Sequence, residues 1–188
     1  MNISSLLFED YVQCPTKCWL RSRGEPTSGN VYAEWARTQN ETYFQGGLKH
    51  LLVALPECDP ATSPPVPENP RDVTWCLAID LHWRTKALES CLQAVERIPS
   101  EGHGRPAQFI PYRFEFANKL GKEHKLLLAF DALLLSEALG REVNLGTIVH
   151  GDSHAMLKVK IPAFASEVRK RIKQITHSWA AIRRRTLS

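Results

Sequence analysis

Two hydrophobic periods divide this chain, and together they predict helices, then strands, then a helix, two strands and a last helix. Ser4 or Ser5 is placed to cap a first helix, Leu6 to Gln13, with Glu9 and Asp10 in its early turns. Pro15 suits the first turn of a second helix, Thr16 to Arg23, where its missing N–H costs nothing. Gly24, Pro26 and Gly29 mark a turn. Asn30 can cap a longer helix reaching Leu55, with Val31, Trp35, Tyr43, Leu48, Leu51 and Leu52 as its apolar positions. Gly46-Gly47 predicts a break or kink in it. The six prolines between Pro56 and Asp72 predict a surface loop.

The period then drops to two. Val73, Trp75, Leu77, Ile79, Leu81 and Trp83 alternate with Thr74, Cys76, Ala78, Asp80 and His82, the pattern of a half-buried strand. Leu88 to Ile98 predicts a second strand, and Pro99 to Pro106, with Gly102 and Gly104, a turn. Gln108 to Phe116 predicts a third strand, in which Pro111 implies an edge position or a bulge. Lys122 to Leu139 is the clearest helix: Leu126, Leu127, Phe130, Leu133, Leu134 and Leu135 form a broad apolar face, and Gly140 is placed as a C-terminal cap. Gly146 to Gly151 and Met156 to Ile161 read as short strands, and Pro162 opens the final helix. Strands, a crossover helix and more strands predict an α/β fold with a mixed central sheet flanked by helices.

Length and composition narrow this to one domain. It has 188 residues, 43% of them apolar and 23% charged, enough for a core without staples. It divides into a helical part (1–55), the proline-rich loop (56–72), a core of sheet and helix (73–161) and a basic terminal helix (162–188). No apolar run approaches the roughly 18 residues that span a bilayer. The first ten residues lack a basic region and a cleavage site, so the expected location is the cytoplasm and no membrane partner is expected. The five cysteines are odd in number and irregularly spaced, and they are expected as free thiols. Cys14 and Cys18 share a helix face, but no second pair completes a zinc site.

The net charge of +4 is unevenly spread. Seven Lys and Arg follow Ala163, namely Arg169, Lys170, Arg171, Lys173, Arg183, Arg184 and Arg185, against the single acid Glu167. Such a helix fits contact with a polyanion, DNA above all, and fits equally a solvated helix face. His150, Asp152 and His154 alternate in HGDSH, which suits a metal or, more simply, a polar hairpin turn. Trp19, Trp35, Trp75 and Trp83 suit base stacking or the core.

CPTKCWLRSRGEP, from Cys14 to Pro26, resembles the N-terminal segment of RecB-like nucleases, and PAQFIPYRFEFANKLGKEHKLLLAFDALLLSEALGREVNLGTIVHGDSHAMLKVKI, from Pro106 to Ile161, resembles one branch of them, the predicted RecB-family nucleases. The likeness covers most of Leu6 to Ile175 and is strongest from Ala94 to Lys160. It implies the restriction-endonuclease-like core of the PD-(D/E)XK superfamily. Active members hold Mg2+ or Mn2+ with carboxylates from neighbouring strands, whose side chains on one face lie about 5 Å apart. A lysine places the water that cleaves the phosphodiester.

Gly47-Leu48-Lys49-His50 matches the histidine motif of the family. Elsewhere the chain departs from it. The resemblance puts Gln93 where the second-strand aspartate is expected, with Glu96 the nearest acid. It puts Arg113-Phe114-Glu115 at the carboxylate-x-lysine motif, and Leu126 and Phe130 at the glutamine and tyrosine of the following helix. If a catalytic site survives, the candidates are His50, Glu115 and Lys119, with His50 and Glu115 on the metal. Arg113 joins the candidate DNA contacts. Related proteins carry a cysteine cluster after the last helix that this chain lacks, so no iron–sulfur cluster is expected. Three functions follow: a catalytically degenerate domain that binds DNA or serves as an accessory subunit, an active metal-dependent DNase with a shifted site, and a structural remnant or protein-interaction module.

Overall fold

The structure is a computed structural model that describes residues 2–24, 31–65, 73–100 and 107–186, without the side chains of Ala33 and of 179–186. Pro26, Gly29, Asn30, the end of the proline-rich loop (66–72), Gly102, Gly104 and Pro106 lie outside the described residues, as do the side chains of Arg183, Arg184 and Arg185. In chain order the elements are β1 (Ile3–Ser4), α1 (Ser5–Gln13), α2 (Pro15–Ser22), α3 (Val31–Ala54), β2 (Pro60–Thr62), β3 (Leu77–Arg84), β4 (Leu88–Ile98), β5 (Gln108–Glu115), α4 (Lys122–Leu139), β6 (Leu145–His150), β7 (Ala155–Lys160) and α5 (Pro162–Thr186).

The strands form one mixed sheet in the order β2-β3-β4-β5-β6-β7, with β1 added beside β4. Strands β3, β4 and β5 make an antiparallel meander. Helix α4 then crosses over to β6, which runs parallel to β5, and β7 closes as an antiparallel hairpin. The expected mixed α/β sheet flanked by helices is therefore what the chain forms.

Two cores lie on either side of the sheet. Helix α4 supplies more of the larger one than any other element, with Phe8 of α1 and Val168 and Ile175 of α5. Its residues Leu126 to Leu135 are all buried, as a helix apolar on every side must be. Gly140 takes a left-handed φ of 63° and donates its N–H to Ser136, the C-terminal cap expected there. Helix α3 covers the opposite face, where Tyr43, Phe44 and Leu51 meet Leu77, Ile79, Ala94, Tyr112, Phe114 and Val149.

Several sequence expectations give way. Helix α3 runs unbroken through Gly46-Gly47. These glycines serve packing: a Cβ on Gly47 would lie 2.6 Å from Phe114 Cδ1, and one on Gly46 would lie 3.1 Å from His154 Nε2. Gly47→Ala is therefore expected to lower stability by about 1–3 kcal/mol through overpacking, despite its better helix propensity, as read by urea unfolding. A stabilised variant would contradict this contact.

Pro111 sits in a central strand, paired with Val95 of β4. The β5–β6 register begins one residue later, at Tyr112–Thr147, so the proline lies ahead of that ladder. The first core strand starts at Leu77 rather than Val73, and Pro60–Thr62 of the proline-rich loop pairs with it in parallel. Cys58 and Cys76 are disulfide-bonded, with their Cα atoms 5.7 Å apart, where free thiols were expected. The pair ties the segment before β2 to the residue before β3. Trp75 and Trp83 belong to the core, whereas Trp19 and Trp35 are 37% and 51% exposed. Among the described residues no helix is long and apolar enough to cross a membrane.

Candidate functional site

Strand alternation breaks at one point in the middle of the sheet. Leu77 and Ile79 face α3, and Ala78 faces α4, but further on Leu81 and Trp83 face α4. Strand β4 makes the same change, with Ala94 toward α3 and both Val95 and Leu92 toward α4. The two residues that absorb the half-step are Asp80 and Gln93, left between the pairs Ile79–Ala94 and Leu81–Leu92. Asp80 takes φ 51°, a left-handed conformation that aspartate tolerates better than most residues. The side chains of His82 and Cys91 are thereby returned to the α3 side of the sheet, where both residues are exposed.

At the same level β4 and β5 part. Their ladder ends at Ala94–Tyr112. Beyond it β5 pairs with β6, and the start of β4 pairs with β1. Gln93 closes the end of the ladder, its Oε1 accepting from the Phe114 N–H at 2.9 Å. The α4 side of the fork holds a buried charge network. Arg113 Nη1 donates to Asp131 Oδ2 at 2.9 Å, and Arg113 Nε donates to Glu115 Oε1 at 3.2 Å. Ser90 Oγ donates to the other Asp131 oxygen at 2.9 Å. The side chains of Arg113 and Asp131 are only 17% and 4% exposed.

Burial opposes the charge on Arg113, but Asp131, Glu115 and Glu9 outweigh it and hold its pKa above the ordinary value. Burial likewise pushes the Asp131 carboxyl up, against the downward pull of Arg113 and Ser90. The hydrogen-bonded geometry is that of an ion pair. Burial also raises Glu9 on α1, partly offset by Arg113.

These contacts revise the sequence candidates. Arg113, expected at the DNA surface, is instead spent inside the protein on Asp131 and Glu115. Glu115 follows Phe114 on the face away from α3, whereas His50 lies on α3, its ring stacked at 4.9 Å on His154. Lys119 is exposed between β5 and α4. His50 and Glu115 therefore spend their side chains on different partners, and no contact joins either of them to Lys119 among the described residues. Among the described residues no three His, Cys, Asp or Glu side chains converge to hold a metal.

The HGDSH turn is packing as much as turn: His154 lies between Tyr43, at 4.7 Å, and His50. The Tyr43 hydroxyl donates to the Gly151 carbonyl at 2.9 Å, and burial pushes its pKa up to about 12. Glu96 accepts from the Tyr112 hydroxyl at 2.6 Å on the α3 side. Leu126 and Phe130, which stand for the family's polar pair, are fully buried, Phe130 stacked on Phe8 at 4.7 Å.

Sequence reasoning passed over Asp80 and Asp131. An aspartate inside a strand-forming run and another inside an apolar helix were the available signals.

The last helix keeps a two-sided character. Phe164, Val168, Ile172 and Ile175 turn inward, while Arg169, Lys170 and Lys173 are exposed with Gln174 and His177 nearby. Arg171 is half-buried and clamped by Glu167 at 2.8 Å, which removes it from the free basic face. Lys122 of α4 pairs with the same glutamate.

Three thiols remain free and differ in reactivity. Cys14 is exposed ahead of α2, where N–H groups of Lys17 and Thr16 lower its pKa. Burial raises Cys91, and it raises the buried Cys18 to about 11. Alkylation near neutral pH with peptide mapping should label Cys14 first and Cys18 last, since the thiolate is the nucleophile. Faster labelling of Cys18 would contradict the packing of α2.

Compared with protein-family models and with curated proteins, the sequence matches none.

Proposed function

We propose that this chain is a RecB-like domain with a PD-(D/E)XK-type core that has lost its catalytic metal site and binds DNA through the exposed face of α5. Support for the ancestry comes from the meander β3-β4-β5 followed by the crossover α4 and the parallel β6. The resemblance implies an antiparallel hairpin followed by a helix and further strands, with which this order agrees. The observation that carries the loss of catalysis is the filling of the strand fork. There, Gln93 stands where the resemblance expects an aspartate and is spent on the Phe114 N–H, and the Arg113 guanidinium stands between Asp131 and Glu115.

A divalent cation at a phosphodiesterase site needs several hard oxygen ligands and open positions for water and phosphate. The Arg113 guanidinium already occupies oxygens of Asp131 and Glu115 that a metal would need, and its fixed charge opposes a second cation placed directly beside it. DNA binding survives such a loss, since it needs only outward cations and counterion release. Arg169, Lys170 and Lys173 supply three on one helix face.

The test is fluorescence anisotropy with a labelled duplex and a labelled single strand. The expected result is binding whose log K falls linearly with log salt between about 50 and 200 mM. No binding at the lower salt would overturn the DNA reading. A protein-partner reading has its own support in Val31, Tyr32 and Trp35, which are 81%, 69% and 51% exposed at the start of α3.

A further inference from the structure

We propose that His82 and Cys91 form a binding site for a soft divalent cation of the zinc class, held between the imidazole Nε2 and the thiolate Sγ. This inference is independent of the DNA reading.

The two residues are directly opposed across β3 and β4, and Sγ lies 3.5 Å from Nε2. Zinc–sulfur and zinc–nitrogen bonds of about 2.3 and 2.0–2.1 Å at a tetrahedral angle require a separation of about 3.6 Å. The donors are thus spaced for one metal without any movement of the backbone. The ladder fixes that spacing, because Leu81–Leu92 and Trp83–Ser90 pair on either side. The half-step at Asp80 and Gln93 leaves both donors on the exposed face, open to solvent.

The surroundings favour a cation. Asp80 is two residues from His82, and its carboxylate acts electrostatically on both His82 and Cys91. Glu41 of α3 approaches the same carboxylate and helps raise its pKa, which burial raises most. A metal would relieve that repulsion. The two positions that these side chains leave open fall to water. A cleft of about 350 Å³, lined by His82, Ser90 and Cys91 with Ser4, Ser5 and an Arg84 paired with Glu89, leaves room for it. Soft thiolate with imidazole selects zinc-class ions over Mg2+.

Without metal, a free thiol is mostly protonated near neutral pH. Metal binding therefore releases a proton and strengthens as pH rises.

The experiment is a Co2+ titration of the full chain without thiol reductant, followed by absorption, with Zn2+ as competitor. A sulfur-to-cobalt charge-transfer band saturating at one equivalent and bleached by Zn2+ is expected. Cys91→Ser, a near-isosteric change at an exposed position, should abolish the band. His82→Gln should weaken binding by more than the roughly tenfold that loss of an outer-shell partner costs. Cys14→Ser, at the other exposed thiol, should leave the titration unchanged. No sulfur-to-cobalt band in the wild-type chain, a band that survives Cys91→Ser, or an affinity unchanged in His82→Gln would each overturn the site.

Discussion

Arg113→Met should lower stability by about 3–5 kcal/mol, the cost of leaving a buried charge without its partner. The Asp131 side chain is 4% exposed and would keep Ser90 as a donor, with Glu115 close by. The double variant Arg113→Met with Asp131→Leu should recover much of the loss, because an apolar pair of similar volume suits the interior. Urea unfolding of both single variants, the double and the wild type gives the coupling between the two side chains.

The pH dependence of the single variant has a definite sign. Burial already raises the Asp131 carboxyl, and removing Arg113 raises it further. The folded state then keeps a proton that the unfolded chain has lost, so stability falls as pH rises through that window. The deficit should be larger near pH 8 than near pH 5, both taken as rough settings above the usual carboxylate range. A loss under about 1 kcal/mol, the net worth of an ordinary hydrogen bond, would mean that the guanidinium does not balance the fork's acids.

Reversing Arg169, Lys170 and Lys173 to glutamate should weaken duplex binding at least about tenfold at moderate salt. It should lower the slope of log K against log salt by about 3, one unit per lost phosphate contact. All three side chains are exposed on α5, opposite the stripe of Val168, Ile172 and Ile175. Circular dichroism should therefore show an intact fold. Arg171→Glu should act differently, through loss of the Glu167 clamp, and should cost stability more than affinity. Equal binding by the triple variant and the wild type would place the DNA surface elsewhere or remove it.

Much of this architecture is written in local periodicity. The apolar run around Phe130 and the Gly140 cap predict α4, and the buried stripe of α5 follows from its i, i+4 spacing. What fails is whatever depends on a distant partner. Gly46-Gly47 reads locally as a break, yet Phe114 and His154 need the space that a Cβ would take. Pro111 reads locally as an edge residue, but β6 begins to pair only after it. The alternation from Leu77 to Trp83 looks continuous. A single left-handed aspartate nevertheless moves Leu81 and Trp83 to the other face.

The candidate site suffers most from this. Arg113 and Glu115 are two residues apart and do share a face, but that face is closed by Asp131, which lies on a helix that sequence spacing relates to neither. The family motif groups His50 with Glu115, but His50 packs on His154 whereas Glu115 binds Arg113. Asp80 and the His82–Cys91 pair emerge only once the register of β3 on β4 is known.

The most direct test of the central claim is incubation of the purified chain with labelled single- and double-stranded DNA in Mg2+ or Mn2+, beside an Asp80→Ala variant and an Arg113→Met variant. No cleavage is expected from any of the three, while the wild-type chain keeps its salt-dependent binding. Metal-dependent cleavage by the wild-type chain that is lost in Asp80→Ala would contradict it, since Asp80 would then be serving a working catalytic metal.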